Sequence, residues 1–147
     1  MENHADRAAR LFREGCSCSQ AVLVAFCDRT GLDERTALKL SSSFGGGLGR
    51  LREVCGAVSG AAMALGLILG PDDPSDRGAK AAHYARVQSL AAQFTERHGS
   101  IVCRDLLGDK AGSGHVPDAR TAAYYAMRPC ERCVYDAAEI LEAMLDE

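Results

Sequence analysis

Seven cysteines occur in this chain of 147 residues, and four of them fall in similar places. Cys18 stands in GCSCSQA, just after Ser17, and Cys55 opens an apolar run that follows a glycine cluster. Cys103 comes three residues after Ser100, and Cys130 directly follows Pro129, a residue favoured in the first turn of a helix. All four are predicted at helix starts. Unpaired N–H groups and the positive end of the helix dipole stabilise an anion there, so a thiol ionises more readily. Arg50, Arg52, Arg104, Arg128 and Arg132 are close by in sequence and add to the effect. A thiolate is the nucleophile of disulfide exchange and a soft ligand for zinc, iron and copper. The placement suits redox or metal chemistry and does not choose between them.

The other cysteines are less informative. Free cysteine often serves as a small buried filler, and Cys27, inside an apolar helix, reads that way. Cys16-Ser17-Cys18 and Cys130-Glu131-Arg132-Cys133 are close pairs that could form strained disulfides or chelate a metal. The second is a CxxC, but no βαβ pattern surrounds it, and Val134 replaces the histidine of a haem-attachment signature. His4, His83, His98 and His115 are scattered. His98 could act as a base for a thiol, although a histidine at a helix end is more often a cap. The GGGLG run lacks the GK[ST] and the preceding strand of a phosphate loop, and reads equally well as a turn permitting close helix packing.

The elements that must position these thiols read as helices. Ala5–Glu14 is alanine-rich and charged and stops at Gly15; Ser17–Arg29 is apolar and closes at Gly31. Asp33 caps Glu34–Phe44, and the glycine loop leads to Val54–Gly70, seventeen residues without a charge. Within that run, Gly56 and Gly60, and again Gly66 and Gly70, have the helical spacing that lets another backbone approach. A turn at Pro71–Ser75 precedes a long helix, Asp76–His98, with Tyr84, Val87, Leu90, Ala91 and Phe94 along one side. Ser100 caps a short helix Ile101–Leu107, and the last helix starts near Pro129. Gly108–Thr121 is the most loop-like stretch and the expected mobile element, within a loop-rich segment 108–128. No strand alternation or repeat is evident, so the expected fold is a single all-α domain, residues 1–147, around a buried Gly/Ala-rich helix.

Composition agrees: apolar residues make up 47% and charged residues 25%, with few aromatics and no Trp. A net charge of −3 argues against general nucleic-acid binding, which needs a basic face. The run Val54–Gly70 would cover roughly 26 Å as a helix, the short limit for a bilayer. It lacks aromatic anchors, so a core helix is expected rather than a span. With no basic-then-apolar leader, a cytoplasmic location is expected, where cysteines serve chemistry more often than structural disulfides.

Together these stretches resemble a family of small bacterial and archaeal proteins described as redox-active, with a Gly/Cys/Ala motif and four characteristic cysteines. Cys55-Gly56-Ala57-Val58-Ser59-Gly60 is similar to its motif, written GCAxxG, with the first two residues exchanged. GCSCSQAVL, SSSFGGGLGR, GSIVCRDLLG and CERCVYDAAEILEAML resemble its other segments, in order. The resemblance implies that the four family cysteines are Cys18, Cys55, Cys103 and Cys130, with Cys16, Cys27 and Cys133 as additions. It implies a redox role, with an unidentified redox protein or small thiol as partner.

Three functions therefore stand side by side. In the first, Cys55 and one or more of Cys18, Cys103 and Cys130 cycle between dithiol and disulfide, without a cofactor. In the second, the same four cysteines hold zinc or an iron–sulfur cluster. In the third, the protein is a helical interaction partner with filler cysteines, and its apolar helices would permit a homodimer.

Overall fold

The computed structural model describes residues 2–147 and is built from α-helices and two 3-10 turns, with no strand among the described residues. Helix α1, His4–Arg13, is capped by Asn3, whose side chain accepts the Asp6 N–H at 2.7 Å. Its spacing of Ala5, Ala8, Ala9 and Phe12 lays one apolar face on the core. Helix α2, Cys18–Ala25, begins in a reciprocal cap. The Ser17 hydroxyl accepts the Gln20 N–H at 3.3 Å while the Gln20 side chain accepts the Ser17 N–H at 3.0 Å.

The helix expected over Ser17–Arg29 is interrupted at Phe26, whose N–H turns back to the Leu23 carbonyl. A short α3, Cys27–Thr30, follows and ends at Gly31. Helix α4, Glu34–Ser41, has the expected Asp33 cap, and its last residues tighten into a 3-10 turn at Ser42–Phe44. Helix α5 runs Gly56–Leu69, two residues shorter at its start than the uncharged run, because Val54 and Cys55 approach it in extended form. It buries Gly56, Ala57, Val58, Gly60, Ala61, Ala64 and Leu65, with Ser59, Ala62 and Met63 partly buried, but Leu67 and Leu69 emerge at 47% and 42% exposure. The helix enclosed over its whole central run is instead α2, where Ala21, Val22, Leu23, Val24 and Ala25 are all buried.

Helix α6, Arg77–His98, follows the Asp76 cap; of its expected packing side only Leu90 and Phe94 are fully enclosed, and Tyr84 is exposed. Helix α7, Cys103–Leu107, starts two residues later than predicted, with Val102 rather than Ser100 at the cap position. Ser100 still contributes, accepting the Val102 N–H at 2.9 Å and donating to Asp105. A helix absent from the sequence reading, α8 at Ala122–Met127, lies inside the loop-rich segment and is capped by Thr121. Helix α9, Cys130–Leu145, stands where expected.

Helix α2 packs against α1, α4, α5 and α9, and α1 also packs on α9. The α2–α5 crossing depends on glycine: a Cβ on Gly60 would lie 2.6 Å from the Ser19 carbonyl oxygen. The second glycine pair makes no such crossing, since Gly66 meets only the His83 side chain and Gly70 ends the helix. No helix of the described residues is long and apolar enough to cross a membrane.

Candidate functional site

The glycine loop is a compact, strained structure. Gly46, Gly47 and Gly49 alternate with Leu48, Arg50 and Arg52 in positive-φ conformations, the last three at φ of 70°, 66° and 63°. Such geometry is costly for residues with a side chain and is held here by the surrounding bonds. The Gly49 N–H donates to Ser43, Arg52 to Gly46 and Glu53 to Gly47, winding the loop on itself. A Cβ on Gly47 would sit 2.7 Å from the Cys103 Cβ, so that contact requires glycine.

Beyond the loop the chain runs antiparallel to the segment before α7. Cys55 donates to the Ile101 carbonyl at 2.7 Å and Cys103 to the Glu53 carbonyl at 2.6 Å, around a bridge between Val54 and Val102. This pairing places Cys55, the cap residue of α5, and Cys103, the first residue of α7, on one wall.

A cavity of about 60 Å³ lies against that wall, lined by Cys18, Cys55, Cys103 and Cys130 together. Cys133, set aside as an addition in the sequence reading, is also there. One turn along α9 returns the chain to the same face, so the i, i+3 spacing of Cys130 and Cys133 carried that signal. Cys18 and Cys130 are partly accessible, whereas Cys55 and Cys133 are buried at 5% and 2% exposure. All seven cysteines are free thiols.

The five cavity thiols differ in their surroundings. Cys130 is brought down to about 7, chiefly by its interaction with the neighbouring Cys18 thiol. Burial opposes the effect, and Arg128, Arg120 and Arg52 reinforce it. Cys18 itself is pushed well up by the same interaction and by burial. Behind this pair Cys55 is lowered chiefly by its interaction with Cys133, against the cost of burial; the Ala57 and Val58 N–H groups at the start of α5 assist. Cys133 is pushed up, first by that interaction and then by burial. Cys103 is held up by burial, opposed by Arg52, whose Nη1 donates to its sulfur at 3.7 Å. These interactions associate Cys18 with Cys130 and Cys55 with Cys133.

The cationic side chains come from the loop and from the segment read as loop-rich. Arg52 is buried at 6% exposure and donates Nε to the Gly112 carbonyl. Arg120 donates to the carbonyls of Phe12 and Cys16 at 3.1 Å each, and its guanidinium stacks 4.6 Å from the Phe12 ring centroid. Arg128 lies 4.6 Å from the Tyr124 ring centroid and bonds Asp118 at 2.6 Å. Segment 108–128 is therefore a wall of the site, tied down by Arg50, Arg52 and Arg120.

His98 is the last residue of α6, but it is no surface cap. Its side chain is 11% exposed, its Nε2 lies 2.8 Å from Asp136 Oδ2, and its Nδ1 is 3.9 Å from the Cys133 sulfur. Asp136 is itself buried and also meets Arg97 and Arg132. Cys16 and Cys27 do not line the cavity, so the CxC at Cys16–Cys18 does not act as a pair there. Among the described residues no three His, Cys, Asp or Glu side chains are grouped to hold a metal ion.

Comparison with known proteins returned no match among the curated proteins and none among the solved structures. One family matches, over residues 16–144, a span that takes in every cysteine of the cavity and most of the chain. The chain belongs to the family described as "Putative redox-active protein (C_GCAxxG_C_C)".

Proposed function

We propose that the protein carries out thiol–disulfide exchange, with the Cys18–Cys130 pair meeting the external partner and the Cys55–Cys133 pair behind it. The observation that carries this reading is the convergence of Cys18, Cys130, Cys55 and Cys133 on one cavity lined by Arg52, Arg120 and Arg128, where the Cys130 thiol is brought down to about 7. A thiol with a pKa near ambient pH is the best attacking group, since it is both ionised and nucleophilic.

The Cys130 thiolate attacks one sulfur of a partner disulfide. The partner's S–S bond breaks, one half leaves as a thiolate and the other remains joined to Cys130 as a mixed disulfide. Cys18 gives its proton to the departing thiolate and attacks the Cys130 sulfur. The second half of the partner leaves, taking up a proton from solvent, and a Cys18–Cys130 disulfide remains. Two electrons have passed from protein to partner; the reverse sequence reduces the protein's disulfide, and relative potentials set the direction. The buried Cys55 and Cys133 can receive the disulfide by the same exchange across the shared cavity, with His98 beside Cys133 to take its proton.

The test is equilibration of the protein in glutathione redox buffers, acid quenching, alkylation and peptide mapping. A Cys18–Cys130 disulfide forming reversibly is the expected result. Absence of any reversibly oxidised pair, or full activity in both Cys18→Ser and Cys130→Ser, would remove the proposal.

A further inference from the structure

The thiol cavity opens beside a larger recess of about 320 Å³, and Arg52, Arg120 and Arg128 line both. Arg50 and His115 join them in the recess, where Asp118 is the sole carboxylate. That carboxylate is shared between Arg50 at 3.1 Å and Arg128 at 2.6 Å, so one negative charge faces two positive ones. Arg120 bonds only backbone carbonyls and the Tyr125 hydroxyl, and Arg52 bonds the Gly112 carbonyl and the Cys103 sulfur. Neither is paired with a carboxylate among the described residues. The excess of positive charge is therefore built into the recess, not left over at a solvated rim.

Arg52 supplies a separate observation. Its guanidinium is almost fully enclosed, yet Nη2 has no hydrogen-bond partner. A buried charged donor without an acceptor is costly, and such groups call for a missing partner. The backbone at Arg52 is also held at φ 63°, a conformation unfavourable for arginine. Backbone strain and an unanswered donor together place a cation where the thiols meet the recess.

We infer that the site takes small disulfides, or the corresponding thiols, that carry carboxylate groups. The sulfur enters the thiol cavity and the carboxylate is received by Arg52 and its neighbours. This rests on the exchange chemistry proposed above and adds the charge of the substrate to it. The recess is of a size for a small molecule rather than a protein surface. The exchange step is unchanged: Cys130 takes one half of the substrate, Cys18 displaces it, and two carboxylate-bearing thiols leave as the protein disulfide forms.

The test uses the reduced full-length protein and three disulfides of similar size. Dithiodipropionate is anionic, hydroxyethyl disulfide is neutral, and cystamine is cationic. Each oxidation rate is divided by the rate of the same disulfide with free mercaptoethanol, which cancels intrinsic reactivity. At low salt the anionic probe is expected to exceed the cationic one by roughly tenfold or more, and the ratio should shrink as salt is added. Arg128→Gln should lower the anionic-to-cationic ratio, while the neutral probe reports any change in Cys130 itself. Equal normalised rates for the three probes, or a preference for cystamine, would overturn the inference and leave thiol exchange standing. Failure of all three to oxidise Cys18 and Cys130 would overturn both. If a variant does not fold, the wild-type ranking and its salt dependence still decide.

Discussion

Replacing Cys18 by Ala removes the neighbour that does most to stabilise the Cys130 thiolate. Cys130 stands at about 7 against an ordinary 9.0, and its interaction with Cys18 is the first cause. At pH 7 the wild-type thiol is about half ionised, whereas at an ordinary pKa roughly one thiol in a hundred would be. Full loss of the shift would therefore cut the thiolate population about fiftyfold. A more basic thiolate attacks disulfides faster, which returns roughly six- to tenfold for two pKa units. The net loss in the rate of mixed-disulfide formation with a neutral disulfide is thus about five- to eightfold at pH 7. That is an upper limit, because Arg128, Arg120 and Arg52 still favour the thiolate.

The sign for pH follows from the same balance. Losing that neighbour favours the protonated thiol, so the midpoint of the rate profile moves upward from about 7 toward 9.0. Labelling of Cys130 with iodoacetamide across pH, quantified by peptide mass spectrometry, measures that midpoint. Cys18→Ser, which keeps a polar side chain, should fall between wild type and Cys18→Ala. A Cys18→Ala profile still centred near 7 would refute the assignment of the shift to Cys18 and leave it to the arginines.

Other expectations test the scaffold and the second pair. Gly60→Ala should destabilise the fold by about 1–3 kcal/mol through overpacking, because its Cβ would meet the Ser19 carbonyl. An ordinary helix interior would be stabilised by the same change, so the sign in a urea titration decides whether the α2–α5 crossing is as close as described. Asp136→Asn removes the buried carboxylate that meets His98 Nε2 at 2.8 Å and should cost about 1–3 kcal/mol, read in the same titration. Strong oxidation of the wild-type protein should yield Cys55–Cys133 as well as Cys18–Cys130 in peptide maps, and Cys133→Ser should abolish the first without the second. Recovery of Cys103 in disulfide with Cys55 would refute that partition.

The helix starts were legible because their signals are local. Ser17 with Gln20, Asp33, Asp76 and Gly99 are caps that act within a few residues; Cys18 follows from Ser17 and Cys130 from Pro129, while Cys55 stands where the glycine loop gives way to an apolar run. The close approach at Gly60 was readable from small residues at helical spacing, though not the partner, Ser19. Thiol pairing was hidden because it depends on how α2, α5 and α9 pack, contacts that join distant parts of the chain. The break at Phe26 carries no Gly or Pro to announce it. Segment 108–128 looked peripheral because its glycines and polar residues suit a loop, yet its carbonyls and arginines answer groups more than fifty residues away. His98 read as a cap because Asp136 and Cys133, its actual neighbours, lie on another helix.

The first turn of α9 contributes one thiol to each pair, Cys130 toward α2 and Cys133 toward α5. In the reduced protein that helix is attached by packing and a few polar bonds. Closing either pair would tie it covalently across a loop longer than half the chain, which constrains the unfolded state by about 4–5 kcal/mol in the chain-entropy account. The redox state of the cavity would then be written into the resistance of the whole molecule to heat and proteases, with the C-terminal helix acting as the latch.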